Sequence, residues 1–252
     1  MKIPRNGFVA DAARALRVIH AAAGKCARNC RRVEPDEACI ALSQDESAYS
    51  IDFAVTEDKP KLNRYLPQTE EQLRTHTIGE LQPLAGPILI RDYDPQWPDQ
   101  FRHEADKIRT ALGPRALQVE HTGSTSVPGL AAKPIIDVLL VVANSADEEG
   151  YAPPLERAGY ALRIREPDWF QHRMFKRTEP EVNLHVFSSG CPEIGRMLLF
   201  RDWLRINASD RDLYARTKRA LAQKEWKYFQ NYADAKTGVI EEILARARFG
   251  PL

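Results

Sequence analysis

The chain has 252 residues, and its 36 Lys and Arg against 35 Asp and Glu leave a net charge of +1. That balance carries no global basic signature for nucleic acid. A hydrophobic content of 43% with 28% charged residues is the ordinary mixture of a soluble globular protein. No run of about 18 apolar residues is present to span a membrane, and the length suits one good-sized domain plus an extension, or two small domains.

Charge is uneven at the start. In residues 1–33, Lys2, Arg5, Arg14, Arg17, Lys25, Arg28, Arg31 and Arg32 face only Asp11, whereas residues 34–60 are acidic. Phe8, Ala12, Leu16 and Ile19 fall at helical spacing, and the stretch is Arg- and Ala-rich like a transit peptide. The expectation is a poorly ordered or variable extension over 1–60, then a linker with a short helix over 61–86. Cys26, Cys30, Cys39 and Cys191 form no CxxC pair and follow no secretory segment, which reads as a reducing cytoplasm. A zinc site from the first three lacks a fourth ligand. Ala21-Ala22-Ala23-Gly24-Lys25-Cys26 looks like the end of a P-loop, but position 19 is Ile and position 26 is Cys. The first glycine and the hydroxyl after the lysine are therefore missing, and no P-loop kinase is expected.

Regular structure is expected from Thr69, where Thr69-Glu70-Glu71-Gln72 has the pattern of a capping box. Pro83 and Gly86-Pro87 break the chain, and Ile88-Leu89-Ile90 is a short strand candidate. After Asp94 and Pro95 comes a helix with Phe101, Ala105, Ile108 and Leu112 on one stripe, ending at Gly113. A strand near 116–120, a small-residue loop and an apolar strand over 135–142 follow. Pro154 to Gly159 reads as a helix with its cap. Tyr160–Ile164, His172–Lys176 and Val182–Phe187 read as strands. The remainder is helical, with a break and new N-cap at Asn207-Ala208-Ser209-Asp210 and apolar positions Leu213, Thr217, Ala220 and Leu221 beyond it. This order predicts a mixed sheet with helices on one side and a helical C-terminal part, an α+β or α/β fold.

The chemistry concentrates in 119–142. Gly123-Ser124 sits in a small-residue loop, and Asp137 interrupts an apolar run, where a charge is costly unless paired. A glycine–hydroxyl loop facing a strand aspartate suits a phosphate and its metal ion; a tight turn before a core strand is the plainer alternative. With Ile136, Val138 and Leu140 on one face, Asp137 shares the other with Leu139 and Val141. Leu139 occupies the position where a two-metal site places its next carboxylate. His185, in Asn183-Leu184-His185-Val186, is a candidate ligand or general base. Glu120 and His121 flank the loop, so Asp137, His185, Glu120 and His121 form a candidate cluster for Mg²⁺, Mn²⁺ or Zn²⁺. Their convergence within about 5 Å is the geometric test. Substrate contacts are expected from Gly123, Ser124, Thr125, Ser126 and Lys133, and among the many later cations from Arg173 and Lys236. Other helix cations read as solvated, and Trp169-Phe170 reads as base stacking or packing.

Five segments resemble the GrpB family. They are Asp92-Tyr93-Asp94-Pro95-Gln96-Trp97-Pro98, Glu120-His121-Thr122-Gly123-Ser124-Thr125-Ser126-Val127-Pro128-Gly129-Leu130, Lys133-Pro134-Ile135-Ile136-Asp137, Asn183-Leu184-His185-Val186 and Phe200-Arg201-Asp202-Trp203-Leu204-Arg205. The resemblance implies a nucleotidyltransferase-like mixed sheet with flanking helices over 87–250. The wider superfamily carries a Gly-Ser loop, a strand with two alternating carboxylates, and a third carboxylate on a later strand. By position Gly123 and Ser124 match the loop, Asp137 the first carboxylate, and His185 falls where the third lies; Leu139 replaces the second. The implied ligand is a nucleotide or another phosphorylated small molecule, with nucleotidyl transfer on a divalent metal (Mg²⁺ or Mn²⁺). The implied alternative is a non-catalytic module, since GrpB-like domains occur fused to dephospho-CoA kinase as folding accessories.

Overall fold

The computed structural model describes residues 67–250. The basic and acidic N-terminal segments, the helix expected near Phe8–Ile19, the three N-terminal cysteines and the boundary at residue 60 lie outside the described residues.

The capping box forms as the sequence requires. Thr69 Oγ1 accepts from Gln72 N at 3.3 Å and Gln72 Oε1 accepts from Thr69 N at 2.9 Å, opening helix α1 (Glu70–His76). Ile88–Ile90 is not a strand. Its neighbourhood pairs only through the isolated bridge Arg91–Ala132. Pro83 and Pro87 precede this stretch without backbone donors, and Leu89 faces solvent at 58% exposure. Helix α2 (Trp97–Leu112) buries Trp97, Ala105, Ile108 and Leu112 and stops at Gly113.

Five strands follow: β1 (Gln118–Thr122), β2 (Ile136–Val142), β3 (Ala161–Glu166), β4 (His172–Thr178) and β5 (Glu181–Ser188), with helix α3 (Ala152–Arg157) between β2 and β3. They form one sheet in the order β1-β2-β5-β4-β3. Only β2 and β5 run parallel; the other three pairs are antiparallel. One face carries Val138, Leu140, Phe175, Leu184 and Val186 and packs against α2 and α3.

The opposite face is also covered, contrary to the one-sided arrangement that the element order suggests. Leu139, Val141 and Phe187 pack under Ile194, Met197 and Leu198 of helix α4 (Pro192–Ile206). The near-continuous apolar run of β2 is the sequence correlate of a strand buried on both faces. That helix covers the later half of β2, and Asp137, at its start, lies on the same face beyond the covered stretch.

The C-terminal part is helical. The Asn207 side chain accepts from Asp210 N at 2.9 Å and opens helix α5 (Ala208–Ala222), followed by α6 (Phe229–Asp234) and α7 (Thr237–Phe249). Val127 and Leu130, just past the Gly-Ser loop, are buried against Trp203, Leu204, Tyr214 and Ile243, which ties the loop to these helices. Beyond Asp210 in its first turn, the buried positions of α5 are Tyr214, Ala215, Lys218 and Ala222, one step round from the expected Leu213, Thr217, Ala220 and Leu221. Leu213 and Leu221 are half-buried on two different clusters, so the centre of the inward face falls between them, on Tyr214 and Lys218. Among the described residues no helix is long and apolar enough to cross a membrane.

Candidate ligand-binding site

Antiparallel pairing of β1 and β2 sets Thr122 opposite Asp137, so the chain leaving β1 passes directly over that carboxylate. The passing residue is Gly123, with φ 65° and ψ −170°, a region essentially reserved for glycine. A Cβ there would stand 2.2 Å from Asp137 Oδ2. The loop is fixed from below: Ser126 Oγ donates to Gly123 O at 2.6 Å and Thr125 Oγ1 to Ile135 O at 3.2 Å. Arg205 donates to Ser126 O through Nε at 3.1 Å and Nη2 at 3.0 Å.

Gly123, Ser124 and Asp137 line a cavity of about 880 Å³, and Lys133, Asn183, His185, Tyr214, Lys218 and Lys236 line it too. Asp137 Oδ1 accepts from Asn183 Nδ2 at 2.9 Å, across the parallel β2–β5 register. Burial raises the Asp137 pKa, against the lowering effect of that hydrogen bond and of Lys236, Lys133 and Lys218. The lysines show the complementary effect. Burial pushes the Lys236 pKa down to about 8, with Lys133 adding to the fall and Asp137 opposing it. Lys218 is 2% exposed, and burial followed by the charge of Lys236 lowers its pKa strongly. Lys133 is lowered by burial first. Each ammonium lies over a ring: Lys133 over Phe229 at 3.9 Å, Lys218 over Tyr214 at 4.7 Å and Lys236 over Tyr232 at 4.6 Å. Around Asp137 the three lysines crowd together, and along the whole lining Lys133, Arg163, Lys176, Arg196, Lys218 and Lys236 outnumber Glu80, Asp137 and Glu166, which leaves the cavity short of negative charge.

His185 reaches the same wall, its Nε2 3.9 Å from Asp137 Oδ1. The rest of the expected cluster does not converge. Glu120 is held by Arg201 of α4 at 2.8 Å. His121 faces the α2 side of the sheet, stacked on Phe101 at 4.6 Å, with Nε2 3.0 Å from Thr125 Oγ1. Its pKa falls to about 3, from burial and then from Arg205 and Arg201. Arg173 pairs with Val186 in the register, so it lies on the face opposite His185. There its Nε donates to Glu148 at 2.5 Å. A one-residue step along a strand reverses the face, and this separates His121 and Arg173 from the cavity. Lys133 and Lys236 do line it. Trp169 packs edge-on against His172 and Phe187.

Sequence reasoning missed Asn183, Tyr214 and Lys218. Asn183 was legible, since period 2 places it beside His185 on one face. Lys218 was not, because a helical lysine carries no sequence mark of burial.

Among the described residues no three His, Cys, Asp or Glu side chains are grouped to hold a metal ion. The donor set fits a metal in one way only. Mg²⁺ is commonly held by one or two carboxylates together with substrate phosphates, and Asp137 supplies that single carboxylate. Asn183 Oδ1 is buried and accepts no hydrogen bond.

The sheet, the Gly-Ser loop and the strand carboxylate together define an α+β domain with a cation-lined pocket, the layout that a nucleotidyltransferase-like reading anticipates. The chain belongs to the GrpB family, whose model, described as GrpB protein, matches residues 87–246. It is 62% identical over 181 residues to a UPF0157 protein of Halalkalibacterium halodurans, covering 72% of this chain and 93% of that one. It is 30% identical to a dephospho-CoA kinase of Mycolicibacterium paratuberculosis over 68% of this chain, which spans 49% of the kinase. The crystal structure of a conserved GrpB protein from Enterococcus faecalis superposes with a TM-score of 0.57 at 33% identity, over 63% of this chain and 96% of that one.

Proposed function

We propose that the cavity binds a nucleotide or another phosphorylated small molecule. The observation that carries this reading is the convergence of Lys133, Lys218 and Lys236 with the Gly123–Ser124 loop around Asp137. An anion entering the cavity restores to each lysine the compensation that burial removes. The loop offers its backbone amides and the Ser124 hydroxyl to phosphate oxygens. Asp137 would hold a divalent metal arriving with the ligand, and such a metal would supply charge neutralisation. His185 is the group placed to take a proton beside that phosphate.

Nucleotidyl transfer is the enzymatic form of this reading. Leu139 argues against the two-metal version, because it is fully buried in an apolar cluster where a second carboxylate would stand. The same residue favours the second reading, a binding or folding-accessory module that keeps the pocket without the reaction.

Calorimetry with ribonucleotides and Mg²⁺ or Mn²⁺ tests the proposal. Binding to the wild-type chain and its loss in Asp137→Ala, with the circular dichroism spectrum unchanged, is the expected outcome; equal binding by both proteins rejects the role of Asp137. Pyrophosphate release in the same mixtures separates transfer from binding alone.

A further inference from the structure

The Gly-Ser loop is gripped at both ends by one helix. Helix α4 rests on the sheet through Ile194, Met197 and Leu198. Its later half packs Trp203 and Leu204 against Val127 and Leu130, just past the loop. Arg201 and Arg205, one turn apart on α4, share a face. Arg201 Nη1 donates to His121 O at 3.1 Å, where the chain enters the loop, and to Glu120 Oε2 at 2.8 Å. Arg205 holds Ser126 O, where the chain leaves the loop, through both Nε and Nη2. Asp202 joins the two arginines. Its Oδ1 accepts from Arg201 Nε at 2.8 Å and from Arg205 Nη1 at 3.1 Å, and its Oδ2 accepts from Arg201 Nη2 at 2.9 Å.

Two arginines offset Glu120 and Asp202, so the network brings no net charge to the site, and its effect is on position. Between the two held carbonyls lie Thr122, Gly123, Ser124 and Thr125, all of which line the cavity. Within the turn, Gly123 O accepts from Ser126 N at 3.3 Å and Ser124 O from Val127 N at 3.2 Å. A trans peptide points its N–H away from its C=O, so the Ser124 and Thr125 amides face away from the turn. With both ends of the loop fixed, that direction is set before a ligand arrives, which removes an ordering cost from binding.

We infer that Arg201 and Arg205, coupled through Asp202, are positioning residues that pre-set the Gly-Ser loop for the phosphate of the ligand. This rests on the ligand reading above. It also accounts for the charged residues of the Phe200–Arg205 string, which stand behind the loop rather than in the cavity lining.

Asp202→Ala separates position from charge. Asp202 is 45% exposed and alanine suits a helix, so the fold is kept. Loss of a negative charge by itself strengthens the attraction for an anion, whereas loss of the link frees both arginines and weakens binding. Calorimetry of the full chain with ribonucleoside triphosphates and Mg²⁺ is expected to show about a tenfold loss of affinity in Asp202→Ala. Glu120→Gln removes an equal charge but keeps an acceptor oxygen for Arg201, and should bind as the wild type does. Hydrogen exchange without ligand is the second readout. The amides of Gly123 to Val127 should exchange faster in Asp202→Ala and in Arg205→Gln, while those of β2 and β5 keep their wild-type rates. A general loss of stability would speed both sets. Equal or tighter binding by Asp202→Ala overturns the inference, as does loop exchange that is unchanged or that rises only together with β2 and β5. A wild-type chain that binds none of the nucleotides ends the ligand reading separately, and the exchange rates then decide alone whether the arginines hold the loop.

Discussion

Gly123→Ala tests the geometry of the site most directly. The added Cβ meets Asp137 Oδ2 at 2.2 Å and its Cβ and Cγ at 2.8 Å, while φ 65° and ψ −170° place an L-residue in a glycine-only region. The backbone part costs about 1–3 kcal/mol and the overpacking part about 1–3 kcal/mol. Together these approach half of a typical domain stability of about 5–15 kcal/mol. Urea denaturation measures the loss as a fall in midpoint at constant slope. A double-mutant cycle separates the two parts. With Asp137→Gly, the Oδ2, Cγ and Cβ contacts all disappear, so Gly123→Ala should then cost only its backbone share. If it costs the same in both backgrounds, Gly123 does not pass over Asp137 and the construction of the site is wrong. A loss well under about 1 kcal/mol in the wild-type background refutes the backbone assignment too.

Two more outcomes follow from the same arrangement. Lys236 has a folded pKa of about 8, below the ordinary 10.5, so the folded chain releases this proton first. The resulting penalty is fully present below pH 8 and fades as pH rises to 10.5. Lys236→Met should therefore stabilise the chain at neutral pH by at most about 3 kcal/mol. The gain should shrink in alkaline denaturation curves, and calorimetry should show phosphate affinity of the wild-type chain falling as pH passes 8; a gain independent of pH rejects the burial of a charged Lys236. Glu120→Gln and Arg173→Met leave the cavity untouched, so both should bind ligand as the wild type does in the same titration. A tenfold loss in either would restore these residues to the site.

The sequence by itself determined the local pieces, because their causes are local. The Thr69–Gln72 capping box, the α2 stripe ending at Gly113, the Asn207 cap, the apolar run of β2 and the alternation along β5 each follow from neighbours in the chain. Asp137 stood out for the same reason, as one charge in an apolar run, and the GrpB strings identified the family. What only the tertiary structure decided is which candidates share a space. His121 and Arg173 are one residue out of phase with the cavity face, and strand pairing alone fixes that phase. Glu120 has the correct face but is occupied by Arg201 from a helix 81 residues away. Lys218 became part of the site because Tyr214 and the carbonyl of Ala131 surround it. Burial of a cation depends on what packs around it, and no spacing in the sequence records that.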